Sequence, residues 1–232
     1  MLILVHSPLT GPLVWNPAEQ ELARHGHQAV VPEVTDHPSG VGPLWEQHAR
    51  SVARSVRRLP AGERPVLVGH SGAGQLLPAI RRFSERPVRA CLFVDAGLPE
   101  DGASRLDQIR RESPDAAAEL EAHLAAGGRF PEWTDEDLRE VVPPDGLRRG
   151  LLEELRPRPL AYFTEPIPVP GAWPDAPCGY LRLSAAYDPA LEAARAMGWP
   201  TRSIDAGHFH MMVEPDEVVD ELLSLLDEAT SA

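Results

Sequence analysis

The chain has 232 residues, 43% of them hydrophobic, enough to bury a full core in one domain and too apolar for a disordered chain. Its 35 acidic residues outnumber 22 basic ones, all arginine, for a net charge of −13. Such a surface repels phosphate backbones and anionic lipid, which sets nucleic acid and membrane aside as partners, and no apolar run is long enough to span a bilayer.

Leu2-Ile3-Leu4-Val5 reads as a first strand rather than a signal peptide, because no basic segment precedes it and no small-residue cleavage site follows. A cytoplasmic protein is expected. Further strands are predicted at Gln28–Val31, Pro65–Val68, Val88–Val94, Tyr180–Ser184 and Thr201–Ile204, as continuous apolar runs of the kind covered on both faces. Helices alternate with them. Asn16-Pro17 with Glu19 forms an N-cap, a first-turn proline and a capping acid, and Gly26 closes that helix. A second runs from about Leu44 to Leu59, a third begins at Ser71-Gly72, and the last starts at Pro215. The pattern predicts an α/β fold: a mostly parallel sheet of about six strands flanked by helices, in one domain over residues 1–232.

Residues 97–177 break the alternation. Ser113-Pro114 starts one helix there, Thr134 caps a second, and Leu147, Leu151, Leu152 and Leu155 mark a third. A stretch with seven prolines between Pro157 and Pro177 follows, expected to be stiff and extended. Phe130, Trp133, Tyr162, Phe163 and Trp173 are dense enough to suggest a helical and proline-rich lid, inserted between the fourth and fifth strands. Cys91 and Cys178 are far apart in sequence with no metal-like spacing, and read as reduced, buried thiols. No dinucleotide or phosphate-loop motif and no metal-ligand cluster stands out, so neither cofactor nor metal is expected.

The chemistry concentrates in Val66-Leu67-Val68-Gly69-His70-Ser71-Gly72-Ala73-Gly74. An apolar strand ends, a serine sits between glycines and a helix follows, which is the context of a nucleophile elbow. The turn places the Ser71 hydroxyl above the sheet and the Gly72 amide near a developing oxyanion. His208, in Asp205-Ala206-Gly207-His208-Phe209-His210, follows the last strand and supplies an imidazole able to take the serine proton near neutral pH. With its Gly-His-Ser-Gly-Ala-Gly elbow the sequence resembles the α/β-hydrolase superfamily, especially the small esterase and hydroxynitrile-lyase branch, whose elbow carries glycine where Ala73 stands. The resemblance implies His208 as the base, with His210 left a packing or rim role. It also implies Asp188 of Tyr187-Asp188-Pro189 as the triad acid, Asp95 being the rival at the end of the fourth strand. Asp188 before Pro189 also reads as a helix N-cap.

The same resemblance aligns His6-Ser7-Pro8-Leu9 with the loop that donates a second N–H to the oxyanion. Pro8 occupies the donor position and has no N–H, so either the Leu9 N–H or the Ser7 hydroxyl substitutes, or the hydrolase is weak, or the chemistry needs less oxyanion support. The expected activity is cofactor-free hydrolysis of a carboxylic ester or thioester of a small, mostly apolar compound through an acyl-enzyme. The alternatives are a lyase, acyl transfer or cyclisation on the same fold, or a low-turnover ligand-binding protein. Substrate identity and oligomeric state are not legible.

Overall fold

The computed structural model describes residues 1–37 and 40–231. Six strands, β1 (Leu2–Val5), β2 (Ala29–Val30), β3 (Val66–Ser71), β4 (Ala90–Ala96), β5 (Cys178–Arg182) and β6 (Thr201–Ser203), form one sheet. Their order is β2-β1-β3-β4-β5-β6 and every neighbouring pair is parallel.

The period-2 alternation of side chains splits the strands between two cores. Leu2, Leu4, Val68 and Leu92 pack on one face against Leu22 of α1 (Asn16–Arg24) and Val218, Leu222 and Leu226 of α11 (Pro215–Ser231). Ile3, Val5, Leu67 and Phe93 pack on the other, against Val52 and Val56 of α2 (Leu44–Arg57), Ile80 of α3 (Leu77–Ser84) and Ala194 of α9 (Asp188–Ala196). Both faces are covered, which explains the nearly unbroken apolar runs. Cys91 and Cys178, distant in sequence, stand opposite each other in the β4–β5 register, and both are buried as free thiols.

Two helix starts differ from expectation. A 3-10 turn over Pro12–Val14 runs directly into α1, so Trp15 takes the cap position and Asn16 lies inside the helix without a side-chain cap bond. After the elbow, a 3-10 turn over Gly74–Leu76 precedes α3, so the helix proper begins six residues later than predicted. The start of α2 has a remote cap: the amides of Leu44 and Trp45 donate to the Glu165 carboxylate at 2.9 and 3.1 Å.

Between β4 and β5 lie α4 (Arg105–Glu112), α5 (Pro114–Ala125), α6 (Asp135–Leu138), α7 (Asp145–Glu153) and α8 (Leu160–Thr164). Thr134 caps α6 in a reciprocal box with Asp137 as its pattern implies, and Ser104 does the same for α4 with Asp107. Leu106, Ala117, Leu124, Tyr162 and Phe163 make a separate small core for this segment.

Glycine has opposite meanings at two positions. A Cβ on Gly74 would fall on the Gly97 carbonyl oxygen and 2.9 Å from the Ala96 Cβ, whereas one on Gly146 of α7 meets nothing within 4 Å. Gly74→Ala is therefore expected to destabilise by about 1–3 kcal/mol and Gly146→Ala to stabilise by about 0.5–1 kcal/mol. Denaturant unfolding of the two variants checks the opposed signs.

Candidate active site

The C-terminal ends of the central strands carry the polar residues, as in other open parallel sheets. At the end of β3, Ser71 has φ 56, in the left-handed region, a conformation that costs about 1–3 kcal/mol and that the surroundings must enforce. The enforcement is visible. A side chain on Gly69 would sit 3.1 Å from Leu77 and 3.2 Å from the Gly74 backbone, so only glycine lets the chain double back here. Ala73 is accommodated and fully buried. The turn presents Ser71 Oγ to a cavity of about 340 Å³ that Gly72 and His208 also line. The hydroxyl there pairs with the phenol of Tyr187 at 3.4 Å.

Asp95, next to last in β4, also has a positive φ of 43 and is 0% exposed. Its Oδ1 accepts the amides of Leu183 and Ser184 at 2.8 and 2.9 Å, and its Oδ2 accepts the Ser184 hydroxyl at 2.6 Å. The fourth donor is Nδ1–H of His208, 2.7 Å from Oδ2. Burial alone would raise the Asp95 pKa, but the hydrogen bonds from His208 and Ser184 outweigh it and hold the carboxyl below its ordinary range. An ionised Asp95 fixes the His208 tautomer and leaves Nε2 as the free lone pair.

The expectation that Asp188 meets His208 does not match this geometry. Asp188 opens α9 beside Pro189 and accepts from Nε of Arg182 at 2.7 Å. Arg182 also holds Asp205 and the Ile204 carbonyl, the latter at 3.2 Å, so Asp188 belongs to an Arg182 clasp and not to the cavity lining. The Asp-Pro pattern marks the start of α9, though Tyr187 rather than Asp188 takes the cap position, and Asp95 is the carboxylate that reaches the imidazole. The available signal was a lone acid ending the otherwise apolar run Cys91–Val94.

The loop after β1 settles into a different arrangement from a Leu9 donor. The Leu9 amide donates to Ser7 Oγ at 3.3 Å, so its N–H is turned to its own loop. Ser7 Oγ in turn lies 3.4 Å from the place a Cβ on Gly72 would occupy, which favours the hydroxyl over the Leu9 amide. His6 pins this loop: its Nε2 accepts the Val34 amide at 3.1 Å, so Nδ1–H donates to the Ser7 carbonyl at 2.8 Å.

Two residues without a sequence-based role complete the surroundings of His208. Tyr187 stacks flat on the imidazole, with ring centroids 5.2 Å apart and planes within 4°. His70, inside the elbow, lies on another side at 4.4 Å and donates from Nε2 to the His208 carbonyl at 3.0 Å. Burial first, and then the neighbouring His208 ring, push the His70 pKa well down, so His70 stays neutral. His210 pairs with Glu217 at 2.7 Å, in keeping with a rim position. Among the described residues, no group of three or more His, Cys, Asp or Glu is arranged to hold a metal ion, and no helix is long and apolar enough to cross a membrane.

The model of the alpha/beta hydrolase family matches residues 2–221. A carbendazim hydrolyzing esterase from Nocardioides sp. (strain SG-4G) is 23% identical, over 96% of this chain and 98% of its own. The (S)-hydroxynitrile lyase of Manihot esculenta is 24% identical over 57% of this chain and 48% of its own. Among solved structures, an extracellular alpha/beta-hydrolase from a Paenibacillus species matches with a TM-score of 0.76 at 19% identity, over 97% of this chain and 98% of that one.

Buried histidines set an acid limit on the site. Burial lowers His6 and His48 to about 4, against the partial support of the Ser7 carbonyl and of Asp36, respectively. Unfolded, both titrate near 6.5, so between pH 6.5 and 4 the unfolded chain binds more protons and acidification favours unfolding. Each contributes on the order of 3 kcal/mol of stability that is present above pH 6.5 and lost on descent through that window. Urea midpoints measured from pH 7.5 to 4 are expected to fall below pH 6.5 and to be flat above it. A flat profile throughout would rule out neutral histidines at these positions.

Proposed function

Given that the chain belongs to the alpha/beta hydrolase family, we propose that it is a cofactor-free serine hydrolase acting on a carboxylic ester or thioester of a small, mostly apolar compound. The observation that carries this reading is the 2.7 Å Asp95–His208 pair, with its imidazole on the same cavity as the elbow serine. Residues 97–177 act as the lid of a single catalytic domain. Ile109, Phe130, Trp133 and Phe163 make the cavity wall largely apolar.

In the proposed reaction, substrate displaces the Tyr187 contact and the Ser71 hydroxyl turns to Nε2 of His208, a hydrogen bond that tightens only in the loaded complex. Ser71 Oγ attacks the acyl carbon as His208 takes its proton, and Asp95 stabilises the imidazolium. Neutral His70 adds no competing positive charge. The Gly72 amide and the Ser7 hydroxyl, standing in for the amide that Pro8 lacks, hold the oxyanion. Collapse expels the alcohol or thiol with the His208 proton, and a water activated by the same imidazole releases the acid from Ser71.

A fluorophosphonate probe is expected to label the wild type and not Ser71→Ala; equal labelling of both removes Ser71 as nucleophile. Asp95→Asn should lower kcat by about 10⁴, with Asp188→Asn within about tenfold of wild type because it loses only a surface ion pair. The reverse ranking would return the acid to Asp188. Ser7→Ala should cost about 10²–10³ in kcat and Ser7→Thr much less.

Pro8 also favours a second reading, a lyase that breaks a carbon–carbon bond and needs less oxyanion support. Release of free acid from p-nitrophenyl esters supports hydrolysis; turnover of a cyanohydrin with no ester cleavage supports the lyase.

A further inference from the structure

The cavity that holds Ser71 and His208 also holds a buried cation. Arg105, the first residue of α4, is 5% exposed, and it lines this cavity together with Gly72 and Tyr162. Its guanidinium stacks on the Tyr162 ring at 4.1 Å and Nη1 reaches the Tyr162 carbonyl at 3.5 Å. Nε and Nη2 are buried with no hydrogen-bond partner. A desolvated guanidinium with two unused donors is costly unless an anion completes it, and a face-on tyrosine ring supplies only part of that need.

Three of the carboxylates nearby are committed elsewhere. Asp36 pairs with Arg158 at 2.7 Å and with His48 at 3.0 Å. Glu165 accepts the first two amides of α2, and Asp107 closes the cap of α4. Glu112 lines the cavity too, but it sits seven residues along α4, about 10 Å up the axis. His48, which meets the Tyr162 ring edge-on, is kept neutral by burial. No carboxylate of the described residues forms an ion pair with Arg105, whose guanidinium faces the cavity.

We infer that Arg105 is a carboxylate-recognition residue, and that the preferred substrates are monoesters whose acyl part ends in a second, ionised carboxylate. The acyl side is indicated by position. Nε of Arg105 lies 3.9 Å from where a Cβ on Gly72 would stand, beside the amide that is to receive the acyl carbonyl oxygen. The fork of a guanidinium matches the two oxygens of a carboxylate. The inference rests on the hydrolase reading, in which water converts such a monoester to a dicarboxylate and an alcohol.

Two paired measurements test it. The first is kcat/KM for p-nitrophenyl hydrogen glutarate relative to p-nitrophenyl valerate, in which a methyl replaces the carboxylate. Wild type is expected to prefer the glutarate ester. Arg105→Gln should lower that ratio about tenfold to a hundredfold, chiefly through KM, and Arg105→Lys should restore part of it. The second is the rise in Tm of Ser71→Ala protein with glutarate, which should vanish when Arg105→Gln is added. An unchanged ratio, or a Tm shift that survives loss of Arg105, overturns the inference. A Tm shift that depends on Arg105 in a protein that cleaves neither ester upholds the anion site and defeats the hydrolase reading instead.

Discussion

A carboxylate with no exposure to water has to find a donor for each of its lone pairs, and Asp95 finds four: two backbone amides, one hydroxyl and one imidazole N–H. These come from the residues just beyond β5 and from the loop beyond β6. Meeting the hydrogen-bond demand of one side chain therefore aligns three strand ends. The ladder already sets β4 beside β5; the carboxylate adds the requirement that the loop carrying His208 fold back over both. The charge that orders this corner is also the one that the proposed base would need opposite its imidazolium, so assembly and the proposed chemistry make the same demand.

The other half of the corner is held by conformation rather than charge. Ser71 and Asp95 both sit at positive φ at the ends of adjacent strands, with a register shift between His70 and Ser71. Tight backbone approach at Gly69 and Gly74 leaves the elbow no roomier alternative. Neutral histidines act as ties in both flanking loops. His6 bonds to Val34 and Ser7, and His70 bonds to the His208 carbonyl. In each case burial suppresses the charge and leaves an amphoteric ring that donates at one nitrogen.

The sheet was legible because both faces of a parallel strand are buried, which writes an apolar run into the sequence. All six predicted strands overlap observed ones, and β1 matches residue for residue. The elbow was legible because its requirements are local: a strand, glycine two residues before the serine, small residues after it, then a helix. The acid was not, because what distinguishes Asp95 from Asp188 is three-dimensional. Asp188 has the more suggestive neighbours in sequence but lies against Arg182; Asp95 has plain neighbours but the burial and the left-handed turn. Ser104-Arg105-Leu106-Asp107 carried a capping signal for α4, yet one arginine among 22 shows nothing of which is buried until the helix is placed over the sheet. Tyr187 escaped notice for a similar reason: its work is done through the flat face of a ring against an imidazole 21 positions later.

The Arg182 clasp joins the inside of the molecule to its outside. Arg182 is largely covered, whereas its partners Asp188 and Asp205 are 53% and 95% exposed. Asp188 is the residue after Tyr187, and Asp205 lies three before His208, so both ring positions are anchored by carboxylates open to dissolved ions. Screening falls on such exposed partners and spares the sealed Asp95 contact. Ionic strength thus weakens the clasp, worth little at such exposure, and leaves the Asp95–His208 hydrogen bond intact.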